Sequence, residues 1–294
     1  MAAGIIDGRQ VASDMRAELK QEVSDLKDRG IVPGLGVILV GDDPASKSYV
    51  TAKERACDEI GIFSDDHRLS VDTTRGALLA LVQQMNEDPK INGILVQLPL
   101  PPHIDEAEVL LAVNPDKDVD GFHPMNVGRM VVGQEAFLPC TPHGVVQLLV
   151  RSNVTLQGAN VVIVGRSNIV GKPLANMLMQ KSKTGNATVT VCHTHTKDMT
   201  SYTRRADILI VAVGRPSTIG ADMVKEGVVV IDVGVNRVED ASKKRGYRLV
   251  GDVDFEGVKE KASLITPVPG GVGPMTITML LHNTVESAKK ASNQ

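Results

Sequence analysis

The chain has 294 residues, 42% hydrophobic and 23% charged, with a formal net charge of −3. That length and balance fit roughly two globular domains and exclude disorder, collagen-like repeats and coiled coil as whole-chain descriptions. Aromatic residues are scarce, with no Trp, four Phe and three Tyr, so aliphatic side chains must fill the cores. No apolar run approaches the ~20 residues that span a bilayer. The N-terminus lacks the basic start and apolar stretch of a signal peptide, and Cys57, Cys140 and Cys192 are too dispersed for a disulfide framework. A cytoplasmic protein is expected, or a mature mitochondrial chain that has lost its transit segment. Charge is uneven: residues 1–142 carry 13 Lys+Arg and 23 Asp+Glu, residues 143–294 carry 19 and 12. A basic second half suits a phosphate-bearing ligand, and no Lys/Arg stripe with interleaved aromatics points to nucleic acid.

The pattern predicts a helix over 9–29, with Val11, Met15, Leu19, Val23 and Leu26 on one face and Gly30 as its stop. The run LGVILVG at 35–41 is continuously apolar, as a strand buried in a parallel sheet requires. Asp43 caps a helix with Pro44 at its first position, running to Gly61. A strand over 62–69, a helix over 72–86, a strand over 93–101 and a helix over 105–113 follow. The polar loop NPDKDVDGFHP closes this half. A helix over 141–152 bridges to the second half, which carries strands at 161–165, 187–192, 207–214 and 228–234, each but the last followed by a short helix. Repeated strand–helix units imply right-handed crossovers and a doubly wound parallel sheet in an α/β protein of two domains. The segment 274–290 is a terminal helix that packs back on the first half. The expected division is 1–142 completed by 275–294, and 143–274.

In VVIVGRSNIVGKP, residues 161–173, a strand delivers the chain to Gly165 and a helix opens near Gly171. Backbone N–H groups and the positive helix end would face a pyrophosphate there. The motif departs from G-x-G-x-x-G, because Ser167 replaces the second Gly and the third comes late. The next strand ends VCHTHT at 191–196, without the carboxylate that takes the ribose 2′-OH of NAD. Arg166, Ser167 and Thr194 offer a cation and hydroxyls for a 2′-phosphate, which favours NADP over NAD. His193 and His195, two apart along a strand, are a poor metal pair, and no metal is expected.

In the first half, Tyr49 and Lys53 lie four apart on one helix face. A Lys serves as acid–base only when a dry pocket or a hydrogen-bonded neighbour brings its pKa down; on a generic helix such a pair is solvated surface. Gln97 stands at the carboxyl end of a strand, before Leu98-Pro99-Leu100-Pro101, where ligands bind in open α/β sheets. Asp116, Asp118 and Asp120 do not meet the calcium-loop spacing; a carboxylate gripping an N–H-rich heterocycle is the other option, with Asp116 and Asp118 solvated. The Gly/Pro-rich TPVPGGVGPMT at 266–276 suits close approach of backbone to a flat ligand.

Taken together, these motifs resemble the methylenetetrahydrofolate dehydrogenase/methenyltetrahydrofolate cyclohydrolase family over nearly the whole chain. The resemblance rests on SYVTAKERACDEIGI from Ser48, GILVQLPLP from Gly93, PDKDVDGFHP from Pro115, CTPHG from Cys140, GRSNIVGKP from Gly165 and TPVPGGVGPMT from Thr266. It implies a cleft between two α/β domains, with folate on the first and NADP on the second. It implies that Lys53 is the general acid–base, that Tyr49 stacks on the folate aminobenzoate, that Gln97 hydrogen-bonds and tunes Lys53, and that Asp120 holds the pterin. By the same resemblance Leu98, Pro99, Pro269, Gly270, Gly271 and Gly273 line the folate, and Gly165, Arg166, Ser167, Ile169, Thr194, Val213, Gly214, Val235 and Thr276 meet the cofactor. The activity implied is oxidation of 5,10-methylenetetrahydrofolate with NADP, then hydrolysis of the methenyl product to 10-formyltetrahydrofolate, by a homodimer with no nucleic-acid or membrane partner. A dehydrogenase alone, using NADP or NAD, is the alternative.

Overall fold

The computed structural model describes residues 3–243 and 246–292. It divides into two compact units, Ser13–Cys140 with Ile277–Gln294, and Met1–Ala12 with Thr141–Thr276. The chain opens with β1 (Gly4–Ile5) and α1 (Gly8–Asp28).

The first unit is built on β2 (Gly34–Val40), whose seven residues are all buried. It is flanked by β3 (Phe63–Leu69) and β4 (Gly93–Val96) in a three-stranded parallel sheet of order β3-β2-β4. A central strand covered on both faces has to read as an unbroken apolar run, whereas the edge strand β3, FSDDHRL, can be polar. Between β2 and β3 runs α2 (Pro44–Ile60); Asp43 accepts from Ser46 N, and the helix stops at Gly61 with φ +84°. α3 (Arg75–Glu87) begins three residues later than expected because Thr74 supplies its cap, and α4 (Glu106–Ala112) is capped by Asp105. The expected strand over 93–101 ends at Val96, since Pro99 and Pro101 have no N–H to give a ladder. The helix α5 (Pro124–Val131) is absent from the sequence reading; its cap is His123, whose Nδ1 accepts from Met125 N, a residue outside the usual capping set. The core is aliphatic, with Ile38, Leu78, Val82, Ile94, Val96 and Val109 among its members.

The second unit contains α6 (Cys140–Arg151), β5 (Asn160–Val164), α7 (Gly171–Met179), β6 (Thr188–Cys192), α8 (Met199–Thr203), β7 (Ile208–Val211) and β8 (Val229–Asp232). A hairpin of β9 (Asn236–Glu239) and β10 (Tyr247–Val250), then α9 (Phe255–Val258), β11 (Leu264–Ile265) and α10 (Val272–Ala291), complete the chain. Six strands form one parallel sheet of order β1-β11-β8-β7-β5-β6. From β5 the chain steps outward to β6 and then back past β5 to β7. The order therefore reverses at β5, the switch point where such sheets bind ligands.

The N-terminal segment departs from the expected division, which placed residues 1–12 with the first half. Gly4 and Ile5 pair with Leu264 and Ile265 at the sheet edge, and a two-residue strand has too little period to announce its partner. Among the described residues no helix is long and apolar enough to cross a membrane.

Candidate active site

In the first unit Val50, Lys53, Cys57 and Ile60 follow one another at helical spacing along the buried face of α2. Lys53 therefore sits where an apolar residue would be expected, and it is only 7% exposed. A lysine inside an apolar stripe is the signal that separates it from a solvated helix residue. Its Nζ donates to Gln97 Oε1 at 3.0 Å, and Gln97 Nε2 donates to Leu98 O at 2.7 Å, so the amide is held at the end of β4 with its oxygen toward the amine. Tyr49, one turn earlier on α2, is exposed.

Burial lowers the Lys53 pKa, and the charge of Asp120 opposes that shift, with smaller contributions from Cys140 and Cys57. Asp120 in turn is raised by burial and held down by the Lys53 charge. The pair thus shares a poorly solvated pocket in which each charge favours the other. Gln97 is not the neighbour that brings the Lys53 pKa down. An amide oxygen accepting from the ammonium favours the charged form, so dehydration alone accounts for the lowering.

Asp118, expected in solvent, is 4% exposed. Its Oδ1 accepts from Gly121 N and Phe122 N, each at 3.2 Å, and its Oδ2 accepts from His123 N at 2.8 Å and Asn126 Nδ2 at 2.9 Å. Burial pushes its carboxyl up to about 6 while these donors hold it down. Its work is to fold the loop that carries Asp120. Gly121, with φ +76°, has no room for a Cβ, which would lie 2.6 Å from Leu138 C. Asn283 of α10 ties the loop again, donating to Val119 O at 2.8 Å and Leu138 O at 3.0 Å. Cys140 Sγ donates to Val119 O at 3.4 Å. Asp118, Asn126, Cys140 and Asn283 were all missed: Cys140 and Asn283 find their partners through tertiary packing, and the turn that Asp118 closes with donors three to eight residues ahead has no local pattern that separates it from a solvated acidic loop. Asp116 is exposed, 3.7 Å from Arg129.

In the second unit the turn after β5 is made by backbone. Gly165 has φ +127°, and a Cβ there would lie 2.2 Å from Ala212 O; a Cβ on Gly171 would lie 2.2 Å from Gly165 O. Ser167 Oγ accepts from Val170 N at 3.1 Å, closing the turn onto α7. Arg166, Ser167 and Ile169 are exposed at its tip, and Arg166 forms no ion pair among the described residues. After β6, His193 N donates to Thr196 Oγ1 at 2.8 Å and leaves Thr194 exposed. No carboxylate stands among residues 192–196. This donor set, an unpaired guanidinium with hydroxyls and no acid, fits a nucleotide carrying a 2′-phosphate.

Val213 and Gly214 follow β7, and Val235 lies exposed after β8. Pro269, Gly270, Gly271, Gly273 and Thr276 also belong to this unit. Gly271 packs against Gly8, where a Cβ would lie 1.7 Å from Gly271 O, and Thr276 Oγ1 is 2.9 Å from Thr141 Oγ1. Among the described residues no group of His, Cys, Asp or Glu could hold a metal ion.

Two family models match: the catalytic domain of tetrahydrofolate dehydrogenase/cyclohydrolase over residues 6–120, and the NAD(P)-binding domain of the same enzymes over residues 139–292. The chain is 61% identical over 289 residues to the bifunctional protein FolD of Syntrophus aciditrophicus, covering 98% of each. The crystal structure of the bifunctional enzyme FolD from Campylobacter jejuni superposes with a TM-score of 0.92 at 52% identity, covering 98% of this chain and 99% of that one. The Trypanosoma brucei enzyme, solved with NADP cofactor and inhibitor, gives 0.94 at 41% identity, covering all of both chains. On these matches the chain belongs to the tetrahydrofolate dehydrogenase/cyclohydrolase family, bifunctional enzymes that join a catalytic domain to an NAD(P)-binding domain.

Proposed function

We propose that this chain oxidises 5,10-methylenetetrahydrofolate to the 5,10-methenyl compound with NADP, then hydrolyses that product to 10-formyltetrahydrofolate, and that Lys53 performs the proton transfers of the second reaction. NADP, when bound, supplies the acceptor for the hydride that leaves the methylene carbon. That first step needs alignment more than acid–base help, because the folate nitrogens stabilise the cation left behind. Hydrolysis does need a base. The Lys53 amine takes a proton from water as the water oxygen bonds to the methenyl carbon. The ammonium so formed gives its proton to the ring nitrogen as the bond from that nitrogen to the carbon breaks, and the hydroxyl proton leaves as the formyl carbonyl forms, so one proton is released overall.

The observation that carries this reading is the Lys53 Nζ, dehydrated and held 3.0 Å from the Gln97 oxygen. Burial makes the neutral amine reachable below its usual range, and the Gln97 oxygen fixes its direction. Asp120 at the same pocket is the carboxylate to grip the pterin N–H groups, exposed Tyr49 the ring to stack on the aminobenzoate, and Leu98 and Pro99 the adjoining wall. In the second unit Arg166, Ser167 and Thr194 take the 2′-phosphate, and Gly165 lets the pyrophosphate approach α7. Ile169, Val213, Gly214, Val235 and Thr276 lie along the dinucleotide, and Pro269, Gly270, Gly271 and Gly273 supply backbone for a flat ligand. The chain works in the cytoplasm as a homodimer paired through the second unit, where edge strand β6 leaves Val191 exposed.

The test is turnover of 5,10-methylenetetrahydrofolate with NADP and with NAD separately, following reduced cofactor and methenyl compound together. NADP reduction with no build-up of methenyl compound is the expected result. Accumulation of that compound would leave a dehydrogenase alone, and equal rates with NAD would remove the phosphate assignment.

A further inference from the structure

The loops at the carboxyl ends of β7 and β8 are joined by one buried carboxylate. Asp252, fully buried, accepts from three consecutive backbone N–H groups: Val213 N at 2.7 Å and Gly214 N at 2.8 Å on Oδ2, and Arg215 N at 2.9 Å on Oδ1. Its Oδ1 also accepts from Asn236 Nδ2 at 2.8 Å. Gly214 is left-handed with φ +68°, so these N–H groups form a concave anion-binding nest. The protein's own carboxylate fills that nest. Asp232 extends the arrangement, accepting from Gly234 N, Asp252 N and Val253 N at 2.9–3.0 Å. Gly234 has no space for a side chain, since a Cβ would meet the Asp252 carboxylate at 2.1 Å.

We infer that Asp252 is a positioning residue for dinucleotide binding: it holds residues 213–215 and, through Asn236, the loop carrying Val235 in the shape that receives the cofactor. The inference rests on the reading that the second unit binds NADP. With their N–H groups committed to Asp252, Val213 and Gly214 meet a nucleotide only through side chain, Cα and carbonyl groups, so their value depends on where the carboxylate puts them. An amide at position 252 keeps the size but loses the charge and turns one nest acceptor into a donor facing donors.

The experiment uses the full chain. NADPH affinity is titrated by the cofactor's own fluorescence, and hydrolysis of supplied methenyl compound is measured without nucleotide. Asp252→Asn is expected to weaken NADPH binding at least tenfold and to raise the KM for NADP, with hydrolysis within twofold of the unaltered chain. Asn236→Ala, which removes one donor, is expected to show the same split at about threefold, and it decides the matter if Asp252→Asn is insoluble. Both activities falling together would make Asp252 a general stability residue and overturn the inference, as would unchanged NADPH affinity. Failure of the unaltered chain to bind NADPH would instead overturn the functional reading beneath it.

Discussion

In the unit of residues 13–140 and 277–294 the proposed chemistry falls on polar side chains forced into the interior, whereas in the other unit the side chains proposed to meet the dinucleotide are exposed above a turn whose backbone leaves no room for a Cβ. Lys53 and Asp118 are 7% and 4% exposed, while Arg166 and Ser167 stand in solvent above glycines with no room for a Cβ. The contrast follows from what each reaction asks. Proton transfer near neutral pH requires a lysine pKa brought down, and dehydration does that. A dinucleotide brings its own charge and its own hydride acceptor, so its site needs rigid N–H groups and a reachable cation. Both units nevertheless share one device, a buried carboxylate that collects backbone N–H groups and shapes a loop at the ends of parallel strands: Asp118 in the first, Asp252 in the second.

The largest effect is expected at Lys53. Lys53→Met keeps the reach and removes the amine, so hydrolysis of supplied methenyl compound should fall by about 10²–10⁴, while part of the dehydrogenase activity survives. Undiminished hydrolysis would move the acid–base elsewhere. Gly165→Ala tests the backbone side of the contrast. Its Cβ would press on Ala212 O from a left-handed conformation, so a loss of about 2–4 kcal/mol is expected, read as a lowered unfolding midpoint together with lost NADP binding. An unchanged midpoint would show that the turn can relax.

Arg166→Ala should weaken NADP about ten- to a hundredfold, the value of one charge-assisted contact, and leave NAD almost unaffected. Equal losses would make the guanidinium structural. The smallest effect sharpens the first unit. Hydrolysis should rise with pH as Lys53 loses its proton, with a midpoint below the ordinary lysine value because burial lowers it. Asp120→Asn removes the charge that favours the ammonium, so that midpoint should move to lower pH. Gln97→Leu should move it the same way, since the amide oxygen accepts from the charged form. A shift to higher pH in Gln97→Leu would restore the idea that Gln97 depresses Lys53.

Patterns confined to one stretch of chain were readable without coordinates. The all-apolar run of β2, the Asp43–Pro44 start of α2, the strand–Gly165–helix turn and the acid-free end of β6 each declare themselves locally, because periodicity, capping and backbone sterics act over a few residues. The Asp252 staple, the Asn283 tie and the strand β1 were not readable. Each depends on a partner supplied by another part of the fold: Asp252 reaches back 39 residues to Val213, and Asn283 reaches 164 to Val119. Lys53 stands between the two cases. Its position in an apolar stripe was visible along α2, but only tertiary packing removes its water, and without that dehydration the same lysine would be one more solvated cation on a helix.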